Sequence, residues 1–98
     1  MAKKFVNLFR EPSNITDVMA GPWNDIRIEK VDSGATLELE SVSVEHACFV
    51  ISGSGTLANG DGALFPLNAQ GAFAIPAGGR VRLEADDELT VLHIEMRL

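Results

Sequence analysis

The sequence predicts an all-β fold, a small antiparallel β-barrel or jelly roll preceded by a short irregular or helical N-terminal segment. Three observations carry this. Apolar runs of strand length recur along the chain, glycine, proline, asparagine and aspartate cluster between them, and polar and apolar residues alternate where a run is long enough to show a period. Arg80 to Glu84 shows the alternation best: Val81 and Leu83 fall on one face, Arg80, Arg82 and Glu84 on the other. Val81 therefore points inward.

The N-terminal part, residues 1–25, is the least regular. The apolar patch from Phe5 to Phe9 suits a short peripheral strand, and Asn14 to Ala20 suits one or two helical turns, capped by Ser13 or Asn14 and stopped by Gly21 and Pro22. Strands are then expected over Ile26 to Lys30, Ala35 to Ser43, Val44 to Ser52, Thr56 to Ala58, Ala63 to Leu67, Ala72 to Ile75, Arg80 to Glu84 and Leu89 to Met96. Turn signals separate them at Asp32 to Gly34, Gly53 to Gly55, Asn59 to Gly62, Asn68 to Gly71, Ala77 to Gly79 and Ala85 to Asp87. Asn59-Gly60 and Asp61-Gly62 are tight-turn dipeptides, so Thr56 to Leu67 reads as a hairpin. In the second strand Leu37 and Leu39 claim the inward face, leaving Glu38 and Glu40 outward. The apolar parity then switches to Val42 and Val44, which predicts a bulge or break near Ser41 and leaves Glu45 outward.

With 98 residues and neither repeat nor linker, the chain is expected to form one domain over 1–98, an extension of 1–25 and a barrel of 26–96. Formal charge is −6 and the eight basic residues are scattered, so no nucleic-acid partner is expected. Nothing approaches the roughly twenty apolar residues of a membrane span, and the patch after Lys3 and Lys4 is too short for a secretory core. A single cysteine excludes an internal disulfide, and the expected setting is the reducing cytoplasm. Glu38, Glu40 and Glu45 with Asp86, Asp87 and Glu88 have the composition of a glycosidase acid pair, but they read as outward positions and a solvated turn. The chain has no phosphate-cradling glycine loop, no G-x-S-x-G elbow and no Cys-x-x-Cys, which argues against nucleotide, hydrolase-triad and dithiol chemistry.

Two stretches, His46 to Gly55 and Phe73 to Gly79, are apolar runs that each end at glycine or proline, and together they resemble the two signature motifs of the cupin superfamily. The resemblance covers Ile26 to Met96 and implies a small double-stranded β-helix. In cupins, two histidines and a glutamate of the first motif and a histidine of the second hold a divalent metal inside the barrel. Here His46 falls at the glutamate position, Leu39, Glu40, Ser41 and Val42 occupy the region of the histidine pair, Val81 stands at the second-motif histidine and Ala85 at its asparagine. Pro76 and Gly78 match. Backbone-serving residues are thus kept while donors are missing, and a valine supplies no donor to a metal.

His46 shares a strand face with Val44, Cys48, Val50 and Ser52, and the cupin position turns that face into the lumen. There it would act as general acid or base, bind a ligand, or be satisfied by a backbone carbonyl. Cys48 beside it is a nucleophile only if its thiol pKa is lowered, and otherwise an apolar filler. His93 shares its parity with Leu89, Val91 and Glu95, and the pattern does not say which face of the last strand looks into the barrel. Trp23 would line the mouth or plug the core between the N-terminal segment and the sheet.

The expectation is a small cupin-like protein with a mostly apolar cavity that binds a small organic ligand through His46, Cys48, Val81, His93 and Trp23, with no cofactor. The alternative is a lyase, isomerase or cyclase using His46 as acid/base, or an atypical divalent-metal site at His46 and His93. A homodimer is expected, because Phe5, Val6, Leu8 and Phe9 form an apolar patch that a chain this small struggles to cover.

Overall fold

A computed structural model of the chain describes residues 7–10 and 15–98. Eight strands follow one another: β1 (Trp23–Val31), β2 (Thr36–Glu40), β3 (Val44–Ser52), β4 (Ser54–Asn59), β5 (Leu64–Asn68), β6 (Ala72–Ile75), β7 (Arg80–Ala85) and β8 (Leu89–Arg97). They form two four-stranded antiparallel sheets, β1-β8-β3-β6 and β2-β7-β4-β5. Only the β4–β5 hairpin stays within one sheet; every other connection crosses to the facing one. That is jelly-roll topology, with two opposed sheets rather than one closed ladder.

Alternation explains which side chains meet between the sheets. Leu83, Val50 and Leu89 are fully buried there, with Val31, Leu57, Leu67 and Val91 around them. Each such side chain contributes about 1.5 to 3 kcal/mol by leaving water. Pro66 lies in β5, at the edge of its sheet, where the missing N–H costs no ladder bond.

The Gly53 to Gly55 signal has a steric cause. A Cβ on Gly53, whose φ is +95°, would lie 2.0 Å from the Glu88 carbonyl oxygen, and one on Gly55 would lie 2.2 Å from that of Glu84. The start of β4 therefore presses against the backbone at the end of β7 and the turn beyond it, an approach that only glycine permits. Pro76 to Gly79 form the β6–β7 turn, closed by the Gly79 N–H donating to Pro76 O at 2.9 Å. Ser41 pins that turn to the end of β2: its N–H donates to Gly79 O, its carbonyl accepts from Gly78, and its hydroxyl donates to Ile75 O at 3.1 Å.

The break expected near Ser41 is thus a strand end. Val42, expected inward, is 81% exposed, because the chain at that point is crossing between sheets. The N-terminal helical turn reduces to a 3-10 turn at Ile15–Asp17, with Ile15 buried. Residues 7–10 form a turn rather than a strand, and Phe5, Val6, Ser13 and Asn14 lie outside the described residues. Among the described residues no helix is long and apolar enough to cross a membrane.

One sheet is unusual in being apolar on its outer side as well. Ile26 and Ile28 of β1 pair with Ile94 and Leu92 of β8, which pair in turn with Ala47 and Phe49 of β3. Because partners across a ladder share a face, Asp25, Arg27 and Glu29 of β1 are turned toward the interior.

Candidate functional site

Register across the first sheet brings the polar interior together. One inward row runs Arg27, His93, Cys48, Phe73 and the next runs Asp25, Glu95, His46, Ile75, each from β1 through β8 and β3 to β6. The face of β8 that looks inward is therefore that of Leu89, Val91, His93 and Glu95.

His46 and His93 meet in this interior, 5% and 1% exposed, with His46 Nδ1 2.8 Å from His93 Nε2. The other nitrogen of each ring is also engaged: His46 Nε2 lies 2.9 Å from the Glu40 carbonyl oxygen and His93 Nδ1 lies 2.9 Å from Glu29 Oε1. Glu29 is gripped from the far side by Arg27, which also holds Asp25 at 2.6 Å. A chain of hydrogen bonds thus runs from a backbone carbonyl at the end of β2 to the edge strand β1.

Donor and acceptor roles follow from the ends of this chain. A carbonyl oxygen only accepts, so His46 Nε2 carries a hydrogen. The hydrogen bond from His93 is the main reason that the Glu29 carboxyl titrates below the usual carboxylate range; burial opposes it and the Arg27 charge supports it. Glu29 is therefore a carboxylate, and His93 Nδ1 must donate to it. The inner pair, Nδ1 of His46 and Nε2 of His93, completes the chain of hydrogen bonds.

Cys48 sits in the same row as His93 but takes no part in this. Burial, reinforced by the negative charge of Glu29, pushes its thiol up to about 12, so it is a neutral filler near neutral pH. Trp23 pairs with Met96, on the outer side of its sheet because the register shifts between Trp23 and Asp25. Its indole packs against Gly21, where a Cβ would come within 2.8 Å of Nε1.

A cavity of about 460 Å³ opens between the sheets on the β5–β6 side. Its wall is built by Leu57, Phe65, Phe73, Ile75 and Val81. Asn59 and Arg80 are the polar side chains that line it among the described residues. Val81 is thus the one expected ligand-binding residue that the cavity uses. His46 and His93 stand behind its wall, since Ile75 is the ladder partner of His46. Glu29, Arg27, Phe65, Phe73, Asn59 and Arg80 are not among the residues that the sequence pattern marks as a site. For Phe73 a signal existed, because it lies just before Pro76 and Gly78 in the second motif.

No protein-family model matches the chain, and no curated protein does. Solved structures do match. A protein described as a predicted oxalate decarboxylase, from Thermotoga maritima, superposes with a TM-score of 0.71 at 15% identity over 79% of this chain and 69% of that one. A cupin protein from Bacteroides fragilis gives 0.61 at 25% identity, covering 74% and 64% respectively. The chain has a cupin fold. Ectoine synthase from P. lautus superposes at 0.68 with 14% identity over 74% of this chain, but this chain spans only 52% of that one.

The fold family implies a divalent metal, and the residues present do not fit one. Leu39 belongs to the core, Glu40 is turned outward beside Arg80, Ser41 is spent on the β6–β7 turn, and Val81 supplies no donor. The nitrogens of His46 and His93 are all taken by hydrogen bonds. Among the described residues no group of three or more His, Cys, Asp or Glu could hold a metal ion.

Proposed function

We propose that this cupin-fold chain binds a small organic ligand in the cavity between its sheets, without a resident metal, while the histidine pair serves as an internal brace. The observation that carries this reading is the separation of the two. The cavity wall is apolar and aromatic, whereas the titratable groups that could do acid/base chemistry are consumed by one another behind it. An acid/base role for His46 requires breaking its bond to Glu40 or to His93.

N-phenyl-1-naphthylamine, a neutral aromatic fluorophore, tests the reading. It should bind saturably at one site, and Val81→Phe, which places a ring in the cavity, should weaken it by about tenfold or more, a loss of ~1.4 kcal/mol. Absence of saturable binding, or binding indifferent to Val81→Phe in a variant that keeps its β circular dichroism, refutes it.

A further inference from the structure

We infer that the cavity is selective for ligands that carry one anionic head group on a flat apolar body, with Arg80 as the anion receptor. This rests on the ligand-binding reading above and specifies its ligand class. Arg80 is the first residue of β7, at the rim; its guanidinium lies beside Glu38 and Glu40 on the outer face, and among the described residues it is the one charged residue of the cavity lining. Among the described residues no carboxylate belongs to that lining, while Glu38 shares a neighbouring surface hollow with Arg80.

The guanidinium is weakly committed elsewhere. Its partners are Glu38 at 3.5 Å through Nη2 and Glu40 at 3.4 Å through Nε, both longer than the ~2.7 to 2.9 Å of a well-formed charge-assisted bond. All three side chains are more than half exposed, so these pairs hold Arg80 loosely and yield to a better partner. A carboxylate, sulfonate or phosphate approached from the cavity side offers the bidentate geometry that the planar fork prefers.

Asn59 points the same way independently. Its side-chain oxygen accepts the Gly60 N–H at 2.8 Å, which leaves its amide hydrogens as the part available to a ligand. Arg80 and Asn59 thus both offer donors at this end of the cavity. Phe65 and Phe73 supply ring faces for a planar body. The overall charge of −6 opposes an anion at long range, but salt at physiological strength screens that field beyond about 8 Å while leaving the contact at Arg80 intact.

The test compares N-phenyl-1-naphthylamine with 8-anilinonaphthalene-1-sulfonate, which adds one sulfonate to the same skeleton. The sulfonate should bind at one site about tenfold tighter or better. Arg80→Gln should abolish that advantage while leaving the neutral fluorophore within about twofold, and Arg80→Lys should restore part of it. Glu38→Gln with Glu40→Gln should tighten the sulfonate alone, because both acids compete for the guanidinium from exposed positions. Equal affinity of the two fluorophores for the native protein, or an Arg80→Gln variant that weakens both alike, overturns the anion receptor and leaves the cavity reading standing. Failure of both fluorophores to bind overturns the cavity reading itself.

Discussion

Replacing Glu29 by glutamine removes one charge from the buried chain and almost no volume, so it measures what the carboxylate does. His93, 1% exposed, loses a charge-assisted hydrogen bond of roughly 1.5 to 3 kcal/mol and regains at best a neutral one of roughly 0.5 to 1.5. The Arg27 contact adds little, because its side chain is 39% exposed and screened by solvent. Glu29→Gln should therefore cost about 1 to 2 kcal/mol near pH 7, equivalent to about 4 to 16 °C in melting temperature for a domain of this size. The pH dependence has a definite sign. The carboxyl of Glu29 titrates lower in the folded chain than its ordinary 4.5, so its stabilisation is complete above that pH and is lost as pH falls through the lower folded value. Urea unfolding of both proteins, followed by far-ultraviolet circular dichroism at several pH values from 7 downward, should show two curves that converge in acid. Equal stability at pH 7, or a gap that persists unchanged at the acid end, would refute the charge-assisted bond between Glu29 and His93.

Other consequences can be checked separately. Long-range nitrogen–proton NMR at neutral pH should find His46 Nε2 and His93 Nδ1 both protonated; a neutral His46 with a bare Nε2 contradicts the donation to Glu40. Cys48, with its thiol pushed up to about 12, should alkylate in the native protein orders of magnitude more slowly than in urea at pH 8, and equal rates would show that it is neither buried nor electrostatically suppressed. We also propose a homodimer, now supported by the outer sheet face where Ile26, Ile28, Leu92 and Ile94 are only partly covered and Phe49 is 40% exposed. Sedimentation at tens of micromolar should show twice the chain mass, Phe49→Glu should yield monomer, and a native monomer contradicts it.

The succession of strands and turns along the chain was legible because the turn chemistry is local. Asn59-Gly60, Gly53, Gly55 and Pro76 each constrain their own backbone, and each marks a turn or strand end whatever the far side of the molecule contains. That position 81 offers no metal donor was equally legible, since a valine cannot coordinate anything in any fold. The interior of β1 was not legible. Its apolar residues Ile26 and Ile28 face outward and Asp25, Arg27 and Glu29 face in, against the usual sense of alternation, because the inward acid and base are neutralised by partners from β8 and by each other.

Residue types and spacing alone determined that this chain folds into β-strands joined by tight turns and that position 81 carries an apolar side chain. Only the tertiary structure decided that His46 and His93, 47 positions apart, share a hydrogen bond and that Arg80 stands at the rim of the cavity. The physical reason is range: φ preferences and donor chemistry belong to single residues, whereas a hydrogen bond between two rings depends on the register of strands that meet only when both sheets have closed.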